Sequence, residues 1–427
     1  MGIEQDWDGR LQLEPQQLPE RLSHLPSREF LMQEGLPEAA AFLDFSALDF
    51  SPLEPFAKDG GTGQHLFVLG ETAYAAPRSH EGDAVVLDGV TGQVFLIGRR
   101  RGELRRDLLA SGLSALVELM REVDVAALAA EEPEALGGER GPAIVAEVVR
   151  VVRERLRAMD PELFAHHRAA PPHWETALLV RSLAWGALPG GPARLAYEFG
   201  PELAEDLAAV TGNGQVRRFR PEELPGGLTH GPTRRLLTDV GLPLGGALLG
   251  VADDGPLVTM VEAYPEYFAP EYFAPGTGTG DEHTPGGDPE NDPDSDGDSD
   301  SDEWERDHQR HHIALAAWPH DLEIALDGAT GRLELPAWND PGIPEAYLNQ
   351  DVSALLYTLW TCGRMRAEWR RWEHGAAGEA WALFDPQALL SGVVEGVLAA
   401  LDPGAFATPD HSWQLLADDH SMGGLLH

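Results

Sequence analysis

The sequence contains few groups of residues that could do chemistry, and the most suggestive is an acidic run near position 300. Asp292, Asp294, Asp296 and Glu303 match the spacing of the oxygen ligands in an EF-hand calcium loop. An alternating Asp/Ser run meets this pattern by composition alone, however, and Pro293 stands at the second loop position. We therefore favour a solvated acidic loop over a calcium site.

Three histidines follow this run. His308, His311 and His312 have a spacing that would place them, with Glu305, on one side of a helix, where they could bind a divalent metal. The alternative, which we favour, is that these residues mark the entrance to a strand.

Signatures of catalysis are missing from the sequence. With a single cysteine, Cys362, and a single lysine, Lys58, it can supply neither a thiolate zinc site nor a phosphate-loop motif. HExxH, GxSxG and GxGxxG do not occur. His24 and His230, each just before a predicted helix, are expected to bond backbone groups rather than to act as bases. We expect a protein without catalytic residues, metal or cofactor.

The charge of the chain limits its partners. It has 71 acidic and 31 basic residues, which give a net charge of −40. Such a field repels phosphate backbones and anionic lipid, and it attracts basic proteins. No signal-peptide pattern and no long apolar run occurs in the sequence. We therefore expect a cytoplasmic protein that binds neither nucleic acid nor membrane.

The chain also repeats itself. Residues 15–37 align without a gap on residues 221–243, with 11 of 23 positions identical. Further matches share an offset of 239 residues, and they are residues 87–92 with 326–331 and residues 113–116 with 352–355. A repeat of this length in the same order predicts two related folding units in tandem.

The second copy carries an insertion. Residues 281–305 contain 12 acids and no Lys or Arg, so they cannot bury enough apolar surface to offset the entropy lost on ordering. Just before them, residues 266–270 (EYFAP) are repeated directly at residues 271–275. We predict a disordered acidic insert over residues 276–305.

Each copy is expected to begin with a short helix. Ser27 or Thr233 would supply the N-cap hydroxyl, and Gly35 or Gly241 the left-handed residue after the last turn. Branched apolar stretches then predict strands, at residues 65–69, 84–87 and 93–97 and again at residues 313–317, 322–326 and 332–335.

The motif Asp-Gly-x-Thr-Gly, which begins at Asp88 and at Asp327, predicts an antiparallel hairpin between the last two strands of each copy. Two amphipathic helices follow, with apolar faces formed by Leu109, Leu113, Leu116, Met120 and Val123, then Val148, Val152, Leu156 and Met159, and in the second copy by Val352, Leu355, Leu359 and Cys362, then Leu390, Val394, Val397 and Leu401. This order of elements predicts an α+β fold, with helices packed on a mainly antiparallel sheet.

Taken together, these motifs resemble a known family. The sequence RxFLxxxGLP, then LDGxTGxV, then an LSAL-type helix resembles the SUKH superfamily of immunity proteins, in particular its fourth group. The matching residues are 28–37, 87–94 and 113–116 and again 234–243, 326–333 and 352–355. We accordingly predict SUKH-like units at residues 1–185 and 214–427, joined by a connector at residues 186–213.

The resemblance implies a function. It implies a non-enzymatic domain that binds and neutralises a cognate toxin of bacterial polymorphic or contact-dependent systems, often a nuclease or a deaminase. The acidity of the chain fits a basic toxin, which it would block sterically and electrostatically. Two alternatives stay open: a regulatory scaffold without a toxin partner, and a metal-binding protein that uses the acidic loop or His308, His311 and His312.

Candidate partner-binding residues lie on the connection that follows Gly-Leu-Pro in each copy. They are Asp44, Phe45, Asp49 and Phe50 in the first copy and Tyr264, Tyr267, Phe268 and Tyr272 in the second. Acidic side chains would attract a basic partner, and aromatic side chains would anchor the centre of the interface. For the aromatic residues, ordinary core packing is the alternative.

Overall fold

The computed structural model describes most of the chain in two compact units. The described residues are 9–49, 51–56, 65–73, 84–100, 103–132, 134–165, 172–191, 194–245, 249–251, 254–268, 309–318, 322–336, 347–374, 386–407 and 413. Unit 1 comprises Met1–Leu188, Arg364–Val397 and Leu425–His427, and unit 2 comprises Pro189–Gly363 and Leu398–Gly424.

Unit 1 is built on an antiparallel sheet. Its strands are β1 (Arg10–Leu11), β2 (Leu36–Pro37), β3 (Ala39–Ala40), β4 (Leu43–Asp44), β5 (Leu66–Thr72), β6 (Ala84–Asp88), β7 (Val94–Arg100) and β8 (Glu103–Ala110). Strands β3 to β8 form one sheet in chain order, and each neighbouring pair is antiparallel. The described sheet is therefore a continuous meander, and β1 pairs separately with β2.

The central strands of this sheet are buried on both faces. Val85, Val86 and Leu87 of β6 are all fully inaccessible, although successive side chains of a strand point to opposite faces. On one of these faces Val86 packs with Phe95 and Ile97 in an apolar cluster. The run of apolar residues that predicted a strand is thus explained by a sheet covered on both sides.

Helices of unit 1 pack on one another and on the sheet. They are α1 (Leu25–Gln33), α2 (Leu113–Glu131), α3 (Pro142–Met159), α4 (Pro161–Ala165) and α5 (Pro172–Ser182). Leu116 and Met120 of α2 and Val148 and Val152 of α3 are buried, as their helical spacing predicted. Contacts join α2, α3 and α5 pairwise, and both α2 and α4 contact β8.

The elements that follow along the chain belong mainly to unit 2. Strands are β9 (Leu188–Pro189), β10 (Tyr197–Glu198), β11 (Val216–Arg217), β12 (Leu242–Pro243), β13 (Ile313–Trp318), β14 (Leu322–Leu326), β15 (Leu333–Glu334) and β16 (Tyr347–Asn349). Helices are α6 (Pro201–Thr211), α7 (Gly231–Asp239), α8 (Met260–Ala263), α9 (Val352–His374) and α10 (Pro386–Leu401). Residues 364–374 of α9 and 386–397 of α10 fall in unit 1. Strands β13 to β16 form an antiparallel sheet in chain order, as β5 to β8 do in unit 1.

The same contact between a histidine and the hairpin turn occurs within each unit. The backbone N–H of His24 donates to the carbonyl of Gly89 at 2.8 Å, and that of His230 donates to Gly328 at 2.8 Å. A Cβ built on Gly92 would lie 2.3 Å from the ring of His24, so the ring rests directly on that glycine. The second Gly of the hairpin motif is therefore needed for packing as well as for its positive φ of 80°.

Other hydrogen bonds recur at matched positions. The indole N–H of Trp174 donates to the carbonyl of Leu109 at 2.9 Å, and 239 residues later Trp413 donates to Leu348 at 3.1 Å. A register shift interrupts β5 between Val68 and Gly70, and β13 carries one between Ala314 and Ala316. These matching hydrogen bonds and register shifts confirm the prediction of two tandem copies of one α+β fold.

Two details of the predicted elements were wrong. Helix α1 begins at Leu25 with His24 as its N-cap, because the Nδ1 atom of His24 accepts from the backbone N–H of Ser27. Ser27 is thus a buried residue inside the helix and not the cap. Leu109 belongs to β8 rather than to the following helix, since the helix begins only at Leu113 after Gly112.

Residues 186–213, predicted as a connector, contain β9, β10 and α6. Helix α6 buries Leu203 and Leu207, and the indole of Trp360 donates to the Asp206 carboxylate at 2.7 Å within unit 2. The domain boundaries read from the sequence stay a prediction. In the part of the chain that the structure describes, no helix is both long enough and apolar enough to cross a membrane.

The packing of His24 on the hairpin can be tested with Gly92→Ala. We expect the free energy of unfolding to fall by about 3 kcal/mol, because the new methyl group both clashes with the ring and strains a positive φ. Gly137 has a φ of +67° but nothing within 4 Å of its Cβ position, so Gly137→Ala should cost only about 1 kcal/mol. Urea denaturation of both variants measures the difference, and equal losses would contradict the ring contact.

Candidate interaction surface

One end of the unit 1 sheet carries several carboxylates. Asp44 on β4 lies directly opposite Glu71 on β5 in the strand register, so two like charges face each other on one side of the sheet. Glu38 and Asp49 are exposed on the segments before and after β4. No Arg or His of the described chain forms an ion pair with these four residues. We call Glu38, Asp44, Asp49 and Glu71 the acidic edge.

The acidic edge begins at a strained hairpin. Ala41 and Phe42 connect β3 to β4 with φ values of 47° and 64°, a left-handed pair that two-residue turns usually build from Asn and Gly. Non-glycine residues in this conformation persist only where neighbouring groups hold them. In unit 1 those groups come from α2 and α5.

An ion pair with a buried carboxylate holds the turn. Asp124 of α2 accepts from the backbone N–H of Ala41 at 2.9 Å and from Nε of Arg181 at 2.8 Å. The guanidinium of Arg181 in turn lies 4.4 Å from the ring centre of Phe42. Because Asp124 is only 7% exposed, these charge-assisted bonds are shielded from water. They tie the strained turn to two helices.

His173 supports the same turn from α5. Its side chain is fully buried, and burial lowers the pKa of the imidazole to about 4, while its hydrogen bond with the backbone of Ala41 acts in the opposite direction. The ring also makes an edge contact with Trp174, at 4.9 Å between ring centres. At neutral pH the residue is therefore an uncharged structural histidine.

Unit 2 departs from unit 1 at these positions. Gly363 occupies the place of Asp124, 239 residues later, and a Cβ there would lie 3.0 Å from Thr211 of α6. Alignment of the two register shifts puts Ala317 at the place of Glu71. Neither the buried carboxylate of the ion pair nor the second acid of the facing pair is present in the second copy.

Unit 2 instead presents an acidic and aromatic cluster beside its sheet. The hydroxyl of Tyr264 donates to the carboxylate of Glu323 at 2.5 Å, and the ring of Tyr267 lies 6.1 Å from that of Tyr264. Burial raises the pKa of Glu323, against the lowering effect of the bond from Tyr264. Burial also raises the pKa of Tyr264, so its hydroxyl stays protonated and available as a donor.

The predicted partner-binding residues fall into three groups. Phe45 is fully buried and Phe268 is 7% exposed, so both pack in the core, which was the alternative for the aromatic residues. Their burial follows from their places, directly after β4 and beside Met260 in an apolar cluster. Asp44, Asp49, Tyr264 and Tyr267 reach the surface. Phe50 and Tyr272 lie outside the described residues.

The structure describes only part of the two metal sites that the sequence left open. His311 is exposed, whereas His312 is buried with its Nδ1 atom 3.8 Å from Glu334. No group of three potential ligands that could hold a metal occurs within the described ranges. His308 and the EF-hand-like run, like the predicted insert, lie outside those ranges.

The fold and these surfaces define a tandem α+β protein whose two copies share a framework and differ at the surface. A family model described as SUKH-4 immunity protein matches residues 6–178 and again residues 203–419. The chain therefore belongs to the SUKH-4 immunity protein family, and this membership implies immunity against a toxin. No curated protein and no solved structure matched the chain.

Sequence reasoning missed Asp124 and Arg181. The sequence does contain a signal for Asp124, because this residue follows the buried Met120 by four positions and so falls on the apolar side of α2. A carboxylate there requires a buried partner. Nothing in the sequence indicates that the partner is Arg181, 57 residues later.

The ion pair can be tested with Asp124→Asn. We expect the free energy of unfolding to fall by about 2 kcal/mol, because the partly buried guanidinium and the strained turn both lose a charged acceptor. Glu118→Gln removes an exposed charge from the same helix and should change it by less than about 0.5 kcal/mol. Thermal unfolding of the two variants measures the difference, and equal midpoints would contradict the role of Asp124 in holding the turn.

His173 predicts a loss of stability in mild acid. In the unfolded chain its pKa is near the ordinary 6.5, so the imidazole there takes up a proton as the pH falls from 6.5 to about 4, while the folded protein does not. Over that window we expect about 3 kcal/mol to be lost relative to His173→Gln. Urea titrations of both proteins between pH 7.5 and 4.5 measure this difference, and parallel pH profiles would contradict it.

Proposed function

We propose that this protein neutralises a basic toxin by contact, with the acidic edge of unit 1 set against the positive face that the toxin uses to attract its substrate. A nuclease or a deaminase acting on nucleic acid has such a face, because it must bind phosphates. Blockade by contact requires no catalytic group in the immunity protein. Family membership supports a toxin as partner, and the acidic edge supports its basic character.

The observation that carries the proposal is the facing pair of Asp44 and Glu71. Like charges directly opposite each other destabilise a sheet, so this arrangement costs the free protein stability. A lysine or arginine of the partner placed between the two carboxylates would relieve that cost. Binding would then gain both the new ion pairs and the release of the repulsion.

The strained hairpin makes this surface rigid. Asp124, Arg181 and His173 fix the turn from which β4 emerges, so Asp44 does not have to be ordered when the partner arrives. Preorganisation of this kind lowers the entropy cost of association. The net charge of −40 adds a long-range attraction that speeds encounter with a basic protein.

Tyr264 and Tyr267 of unit 2 supply a second contact in this proposal. Half-buried tyrosines beside carboxylates suit the aliphatic stem and the charged head of an arginine or lysine. The hydroxyl of Tyr264 is already engaged by Glu323, which fixes the ring and leaves its face for packing.

The test is a pair of matched double variants. Asp44→Asn with Glu71→Gln should weaken binding of the toxin encoded beside this gene about tenfold at low salt, mainly through a slower association. Glu147→Gln with Glu154→Gln removes the same charge from exposed ion pairs on α3 and should leave the affinity nearly unchanged. Stopped-flow association and calorimetry at two salt concentrations provide the rates and affinities.

The same substitutions give a second readout. Glu71→Gln should raise the stability of unit 1 by a few tenths of a kcal/mol while it weakens binding, because it removes the repulsion. A double variant that binds as tightly as the parent contradicts the role of the acidic edge. Failure of the parent protein to bind any toxin domain encoded beside it contradicts the proposed function itself.

A further inference from the structure

Unit 2 contains a cavity unrelated to the acidic edge. It has a volume of about 520 Å³ and lies between the segment that leads into α6 and one side of α7. Its apolar wall includes Leu195, Tyr197, Phe199, Leu236 and Val240. This volume falls within the range of sites that hold small ligands or single anchored side chains.

The wall of the cavity is held in place. The hydroxyl of Tyr197 donates to the carbonyl of Leu401 at 2.7 Å, and its ring meets Tyr357 edge-on at 4.7 Å between centres. Burial raises the pKa of Tyr197 to about 12, so the phenol stays neutral. Leu236 and Val240 are 5% and 8% exposed, which makes the α7 side of the cavity a fixed apolar surface.

One arginine at this cavity makes no ion pair in the described part of the chain. Arg194 is paired with Glu198 at 2.7 Å, and the carboxylate of Asp239 accepts from the hydroxyl of Thr238 at 2.9 Å. Arg235 lines the cavity and is exposed. Its guanidinium makes no hydrogen bond or ion pair within the portion of the chain described here.

The cation is specific to the second copy. In the alignment of residues 15–37 with 221–243, Arg235 corresponds to Glu29 and Asp239 to Gln33. The charge at the first of these positions is thus reversed between the copies. In a chain with 71 acids and 31 bases, an arginine that makes no ion pair in the described part of the chain, beside an apolar wall, favours an anionic ligand, although Glu198 and Asp239 also line this cavity.

We propose that this cavity binds a carboxylate joined to an apolar side chain, with Arg235 holding the carboxylate through two parallel N–H bonds and the aromatic and aliphatic wall holding the side chain. Arginine matches a carboxylate in this geometry, and Tyr197, Phe199 and Leu236 match an aromatic or branched body. The C-terminal residue of a protein and a free N-acylated amino acid both carry this chemistry. The proposal is independent of toxin binding.

The probe is N-acetyl-4-fluorophenylalanine, followed by fluorine NMR in the presence of the full chain. Its amide derivative has the same body without the charge and serves as the ligand control. We expect the acid to bind with a dissociation constant on the order of a millimolar and about tenfold more tightly than the amide. Line widths across a titration measure both constants.

Protein variants locate the site. Arg235→Gln should remove the preference for the acid, and the acid should then bind about as weakly as the amide. Arg220→Gln removes another exposed arginine of unit 2, one paired with Glu223 and outside the cavity, and should leave the preference intact. Equal binding of acid and amide to the parent, or an unchanged preference in Arg235→Gln, overturns the proposal.

A longer probe separates the two sources of the chemistry. A tetrapeptide that ends in the same fluorinated residue with a free carboxylate extends the chain away from Arg235. Tighter binding of the tetrapeptide than of the short acid identifies a protein C-terminus as the ligand. Tighter binding of the short acid identifies a free acylated amino acid.

Discussion

The packing of one histidine ring on one glycine fixes how the N-terminal segment of each unit meets its sheet. His24 and His230 donate from their backbones to the hairpin that begins at Asp88 or Asp327, and their rings fill the space left by Gly92 and by its counterpart 239 residues later. Main-chain bonds alone would leave the helix free to rotate about the turn. The ring restricts that rotation and so fixes the start of α1 and of α7 against the hairpin.

On this shared framework the two units have acquired different chemistry. Unit 1 has a carboxylate, Asp124, where unit 2 has Gly363, and unit 2 has Arg235 where unit 1 has Glu29. A buried charge at 124 requires both an arginine and a turn with a free N–H, whereas a glycine at 363 lets α6 approach closely. Each difference is coupled to a neighbour, so the two copies are not interchangeable.

Much of the fold could be predicted because it follows from local patterns. The apolar stretches, the hairpin aspartates and the helical spacing of Val148 and Val152 depend on nearby residues alone. Strand β8 could not be predicted this way, because half of its eight residues are charged and its pairing with β7 is a tertiary property. For the candidate site, the acids at 44 and 49 were predicted from their charge and their place after Gly-Leu-Pro, and their role stays a prediction. The position of Glu71 opposite Asp44 depends on the strand register, and the ion pair of Arg181 with Asp124 joins residues far apart in the sequence. Composition reveals neither.

The bonds that recur in both copies end largely on main-chain carbonyls, such as those of Gly89, Leu109 and Leu348. Every amino acid carries such a carbonyl, so substitutions at neighbouring outward positions leave the framework intact. After duplication of a gene of this design, one copy can drift toward a new ligand while the other retains the ancestral one. Immunity against a changing set of toxins would then evolve by replacing side chains rather than by refolding the domain.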